Sequence, residues 1–174
     1  MARVKLIDPD SDPAHAELAA KIRGQRRGSF LNIYKILLQS PAMYAAWFDF
    51  NNAARWQTGL DGRLREILII RIGLLNGSQY TLRQHMEALA KAEGLSQEAC
   101  DGLKSWRGTD YFSPAERAAL AFAGAMTEDI SVLDVVFEPL REFFDESEIV
   151  ELAVLIGAYN MHTRVFMALA ADLE

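Results

Sequence analysis

A single cysteine in 174 residues leaves no way to close a disulfide within the chain and no way to build a metal site on several thiols. That residue is Cys100, read here as a buried, inert thiol. Histidine is nearly as scarce, with three copies, and these together with scattered carboxylates show no metal-ligand spacing, so neither a metal nor another cofactor is expected. Uninterrupted apolar runs are also missing. The two most apolar stretches, 67–75 and 149–171, are broken by Arg71 and by Glu151, His162 and Arg164. A membrane-spanning helix needs about 20 predominantly apolar residues, so both read as buried helices and no membrane partner is expected. Excess positive charge is absent as well. Lys and Arg total 18 against 24 Asp and Glu, a net charge of −6, which argues against a nucleic-acid footprint and an anionic lipid surface. The one basic cluster, Arg23, Arg26 and Arg27, reads as solvated. The opening MARVKLIDPDSDP has no apolar core of signal-peptide length, so the cytoplasm is the expected location. Without secretion, the acceptor-like Asn76-Gly77-Ser78 carries no meaning for glycosylation.

What is present points to helices. No segment shows sustained period-two alternation between turn signals, so no sheet is expected. Start signals recur instead. Asp12-Pro13, Ser40-Pro41 and Ser113-Pro114 each place a capping side chain before a proline. Ser113 with Glu116 makes a capping box, Asp145 with Glu148 a similar pair, and Asp61 and Ser96 are further caps. Gly24 and Gly94 are stop signals. The spacing predicts helices over 13–23, 30–39, 41–57, 62–75, 78–93, 97–105, 114–128, 132–143 (split by Pro139) and 146–171, in a single all-α domain. Ile67–Ile72 is β-branched enough for a buried strand, but its continuation into amphipathic sequence favours helix. Ile72-Gly73-Leu74-Leu75-Asn76 and Ile156-Gly157-Ala158-Tyr159-Asn160 echo one another, which would fit two related helical halves.

The chemistry concentrates on helices 62–75 and 78–93. At about 100° per residue, Ser78, Thr81 and His85 fall within roughly 60° of each other, on the side of the helix that carries Leu82, Leu89 and Ala92. Glu66 lies among Ile69, Ile70 and Gly73. Burying one polar group without a partner costs on the order of 1–3 kcal/mol, so these groups either satisfy one another or line a cavity. The tight turn Asn76-Gly77 would bring the two helices together antiparallel and Glu66 towards His85. The plain alternative is a set of satisfied core residues, since Ser and Thr in helices often bond back to the carbonyl four residues earlier.

The segment from Glu66 to His85 resembles the signature of the carboxymuconolactone decarboxylase family, which includes the alkylhydroperoxidase D proteins. That signature reads Glu, eleven residues, Cys, two residues, Cys, three residues, His. Here the same spacing carries Glu66, Ser78, Thr81 and His85. Gly94-Leu95-Ser96, and Gly157-Ala158-Tyr159-Asn160 with Arg164, also resemble the family, and the likeness spans about residues 40–170. The resemblance implies an alkylhydroperoxidase D-like helical bundle and a homo-oligomer, a trimer or hexamer. In peroxidase members a Glu–His relay activates one of two thiols. With Ser78 and Thr81 at both cysteine positions, peroxidase activity is not expected, because peroxide reduction needs a thiolate.

Glu66 and His85 remain as an acid/base pair, with Ser78, Thr81, Tyr159 and His162 as candidate substrate-binding residues. Arg71 and Arg83 point roughly 140° away from the polar stripe, so surface or subunit contact is expected of them. The aromatic group Met43, Tyr44, Trp47, Phe48, Phe50 and Trp56 reads as core, subunit contact or the wall of a ligand pocket. Three functions stay open. The first is a cofactor-free lyase or isomerase acting on a small organic acid. The second is a helical oligomer that binds a small molecule or a protein. The third, ranked last, is a peroxidase using Cys100.

Overall fold

The computed structural model describes residues 1–11, 15–25 and 30–173, so the Asp12-Pro13 cap and Arg26 and Arg27 lie outside the described residues. Every regular element among those residues is helical: α1 (Ala16–Gln25), α2 (Asn32–Leu37), α3 (Pro41–Trp56), α4 (Gly62–Leu75), α5 (Gln79–Gln84), α6 (Ala90–Ala92), α7 (Gln97–Gly102), α8 (Pro114–Gly124), α9 (Asp134–Phe137) and α10 (Glu146–Ala168). A π-helical turn, His85–Leu89, joins α5 to α6, and another, Ala125–Asp129, follows α8. Short 3₁₀ turns extend α7 over Leu103–Gly108 and α9 over Glu138–Glu142. The second of these begins beside Pro139, which cannot supply an α-helical N–H.

The caps explain the boundaries. Asp61 accepts from the backbone N–H of Arg63 and Leu64, and Ser96 from that of Ala99. Ser113 and Glu116 form a reciprocal capping box. Asp145 and Glu148 do the same, each accepting from the other's backbone N–H at 2.9 Å. Gly77 and Gly94 adopt φ of +68° and +79°, left-handed values that end the preceding helices and favour glycine.

The chain divides into two compact units. One comprises residues 1–53 and 165–174 and is aromatic: Tyr34 meets Tyr44 and Phe48 edge-on, with ring centroids 6.0 Å apart in each case, and Trp47 meets Phe166 at 6.1 Å. Tyr44 and Phe48 are fully buried, whereas Met43 and Phe50 are exposed, so the core reading of that group holds for its inward residues only.

The other unit, 54–164, is organised on α4. Ile67, Leu68, Ile69, Ile70 and Ile72 are all 0 % exposed, so this helix is enclosed on every side rather than half-solvated. Leu64, Leu68, Ile69 and Ile72 join one cluster with Phe122 of α8 and Leu152, Leu155 and Ile156 of α10. Ile67 and Ile70 join a second with Leu95, Cys100, Leu103, Trp106 and Phe112. Each such side chain contributes about 1.5–3 kcal/mol relative to exposure, which is why the β-branched run settles as a central helix. Gly73 lets α5 approach. A Cβ there would come within 3.1 Å of Leu82 and 3.4 Å of Thr81, so the space this glycine leaves is filled by α5 rather than open.

The two asparagines of the sequence echo meet. Asn76 Nδ2 donates to Asn160 Oδ1 at 2.9 Å and to Thr163 Oγ1 at 2.8 Å, while Asn160 Nδ2 donates to Thr127 Oγ1 at 2.9 Å. Past the second π turn, Ile130 takes φ 66° and ψ −44°, with Ser131 N–H donating to Asp129 O at 2.7 Å. This is a γ-turn in its strained, positive-φ form on an 84 % exposed β-branched residue.

Candidate active site

α4 and α5 run into and out of the Asn76-Gly77 turn, and this brings the family-type residues together as the sequence suggested. His85 Nδ1 lies 2.6 Å from Glu66 Oε2. Both side chains are buried, at 8 % and 1 % exposure. An ionised carboxylate only accepts, so Nδ1 carries the proton and Nε2 is the nitrogen Glu66 does not engage. The π turn begins at His85, and such turns are frequent at functional sites.

Two further charges converge on Glu66. Arg55, at the end of α3, places Nη2 3.3 Å from Glu66 Oε1, and Arg65 places Nε 3.9 Å from the same oxygen. Arg65 Nη2 also pairs with Glu93 Oε1 at 2.9 Å. Both guanidinium carbons stand 4.5 Å from the ring centroid of Trp56, which is itself half exposed. Burial pushes the Glu66 carboxyl upward, but the His85 hydrogen bond and the charges of His85, Arg55 and Arg65 outweigh it, and the net shift is below the usual carboxylate value. Glu66 is therefore an anion at neutral pH.

Ser78 is the N-cap of α5, accepting from Thr81 N–H at 3.4 Å, and the two hydroxyl oxygens sit 3.0 Å apart. Both residues are buried. Tyr159 meets the His85 ring edge-on at 5.6 Å, and His162 meets Tyr159 at 5.0 Å. Tyr159 thus lies against the imidazole, and His162 against Tyr159.

Arg55, Arg65 and Glu93 were not singled out from the sequence, whereas Trp56 was, within the aromatic group read as core, subunit contact or pocket wall. The available signal was the buried carboxylate itself, which demands a cation, and Arg65 is its neighbour in the chain. Arg71, expected at the surface or in a subunit contact, is half-buried and donates Nη1 to Leu103 O at 3.0 Å. Cys100 is 1 % exposed, and burial with the Asp101 charge raises its thiol pKa above the ordinary value. Among the described residues no three His, Cys, Asp or Glu side chains converge as a metal site, and no helix is long and apolar enough to cross a membrane.

The sequence pattern of the carboxymuconolactone decarboxylase family matches residues 41–125, which include the site from Arg55 to His85. The chain is 29 % identical over 115 residues to the uncharacterised protein YdfG of Bacillus subtilis, a match covering 65 % of this chain and 78 % of that one. Among solved structures it is similar to an Agrobacterium tumefaciens protein of unknown function named for the antioxidant defence protein AhpD. That match has 26 % identity and a TM-score of 0.75, covering 80 % of this chain and 95 % of the other. The fold also matches a cysteine-to-alanine variant of the debrominase Bmp8 in complex with 2,3,4-tribromopyrrole, with a TM-score of 0.83, 19 % identity and coverage of 100 % and 94 %. Residues 41–125, just under half of the chain, thus match the carboxymuconolactone decarboxylase family, and the fold is the all-helical one of the AhpD-like proteins.

Proposed function

We propose that the protein is a cofactor-free acid/base enzyme, a lyase or isomerase acting on a small organic acid. The observation that carries this reading is the 2.6 Å contact between His85 Nδ1 and an ionised, buried Glu66. A carboxylate so placed holds the imidazole in one tautomer and raises the basicity of Nε2. In a decarboxylation, the bond to the departing carboxylate breaks and its electron pair moves into the conjugated carbonyl. Carbon dioxide leaves, the imidazole in its doubly protonated form gives its Nε2 proton to carbon, and a proton from solvent restores the ring. Ser78 and Thr81 offer hydroxyls to the developing oxyanion, and Tyr159, edge-on to the imidazole, with His162 against it, supplies the remaining substrate-binding side chains. Thiol peroxidase chemistry is not part of this reading, since Cys100 is enclosed and its thiol pKa is raised.

The test follows carbon dioxide release from carboxymuconolactone by the purified chain. Turnover is expected, with a loss of about 10²-fold or more in His85→Gln. Unchanged turnover in that variant rejects the role. A second reading, a small-molecule binding module without turnover, is favoured by the low exposure of the pair. A wild-type protein that leaves the lactone intact decides for it.

Either reading includes a homo-oligomer, a trimer or hexamer. Val150, Val154 and Met161 share one face of α10 and are 61, 41 and 38 % exposed, with Gly157 open between them. Light scattering that returns a monomer mass removes this part.

A further inference from the structure

We propose that Arg55 is the anion-binding residue of the Glu66–His85 site, receiving a substrate carboxylate on the guanidinium N–H donors that Glu66 leaves unused. The inference rests on the acid/base reading above and assigns its specificity to a residue outside the family signature.

The argument is one of unmet donors. Arg55 is 4 % exposed, and a guanidinium carries five N–H donors. Its one hydrogen bond among the described residues is the long contact of 3.3 Å to Glu66 Oε1. Its Nε is buried without an acceptor. Interiors rarely leave such donors empty, because each orphaned donor carries the full cost of desolvation. Glu66 cannot supply more, since its other oxygen is committed to His85 at 2.6 Å. Arg65 differs in having a carboxylate of its own, Glu93 at 2.9 Å. Arg55 is therefore the cation of the cluster whose charge is shared rather than matched.

The fork is also held in place. Trp56 lies 4.5 Å from the Arg55 guanidinium carbon, so the plane is set before any ligand arrives. A planar, preset guanidinium suits a carboxylate, which can take two parallel N–H bonds where one comes from the second N–H of Nη2 beside the one that Glu66 uses. In a dicarboxylic substrate this would be the carboxylate that stays. It remains charged throughout the reaction, whereas holding the departing group would favour the ground state over the transition state.

The experiment titrates the full chain with acetate and with succinate, using the neutral succinamide as control, and reads the His85 ring signals by NMR. Saturable shifts are expected with at least one of the two carboxylates and not with succinamide. Arg55→Gln should weaken binding about 10-fold or more, the loss of a charge-assisted pair. Arg55→Lys, which keeps the charge and loses the fork, should fall between and carries the test if Arg55→Gln does not fold. No saturable shift with either anion, equal binding of succinamide, or unchanged affinity in both Arg55 variants overturns the proposal. Turnover lost in His85→Gln with carboxylate affinity unaltered in the Arg55 variants defeats this assignment alone. Carboxylate binding that depends on Arg55, in a protein with no turnover, defeats the acid/base reading alone.

Discussion

Two polar clusters involve the helices that flank the Asn76-Gly77 turn, and they are finished to different degrees. The one built on amides and hydroxyls, with Arg164 at its edge, leaves none of its buried side-chain atoms without a partner. Asn160 Oδ1 accepts from Asn76 and Arg164, its Nδ2 donates to Thr127 Oγ1 and Ile156 O, and Thr163 Oγ1 donates to Tyr159 O while accepting from Asn76. The charged one, Glu66 with His85, Arg55 and Arg65, leaves the Nε atoms of both arginines buried without an acceptor. A finished network fixes the packing of helices and has nothing left to offer. An unfinished one holds reserve donors that a ligand can use. This contrast separates a polar cluster whose buried side-chain atoms are all satisfied from one that is not.

The largest effect that would test the contrast is in the charged cluster. Glu66→Gln strands the buried Arg55 guanidinium and should lower stability by about 3–5 kcal/mol in chemical denaturation. A loss below about 1 kcal/mol would mean the arginines are solvated and the cluster is not what it is taken to be. The same group sets an acid limb. The Glu66 carboxyl is lowered in the folded state, so its contribution is complete above the unfolded value of about 4.5 and is lost as pH falls through the lowered folded value. Stability measured between neutral pH and pH 3 should fall more steeply in the wild type than in Glu66→Gln.

Asn160→Ala should cost less, about 1–3 kcal/mol, and should leave the acid limb as it is in the wild type. An altered acid limb in that variant would mean that the two clusters are electrostatically coupled. Cys100→Ala should cost about 1 kcal/mol, by loss of a small buried contact. The intact thiol should react slowly with Ellman's reagent at neutral pH, and a fast reaction would show that its helix opens. Ile130→Gly lies outside both clusters and should stabilise slightly, by up to about 1 kcal/mol, because glycine accepts the positive φ that isoleucine resists. A destabilised variant would show that the turn is not strained.

The local rules were readable in the amino-acid order, and the distant pairings were not. Asp61, Ser96, the Ser113–Glu116 box and the Asp145–Glu148 pair act within four residues, so their spacing alone announces the helix starts. Glu66 and His85 were legible because a short turn folds one helix back onto the other. Arg55 was not, since its partner is eleven residues away and on a different helix. The π and 3₁₀ turns escaped as well. Hydrophobic periodicity says which face is inward but not whether an N–H reaches back three, four or five residues. The positive φ at Ile130 ran against every local preference of a β-branched residue.

The π turn that opens at His85 has one more consequence. A π turn carries a residue beyond what an α-helix needs, and its wider coil takes up that surplus, so the helix before it and the helix after it keep nearly the phase of an uninterrupted α-helix. Removing one residue between Met86 and Leu89 would therefore let the backbone relax into an ordinary helix while leaving the imidazole close to its present direction relative to the Ala90 anchor. What such a deletion would take away is the local widening of the backbone beside His85, with every proposed site residue still encoded.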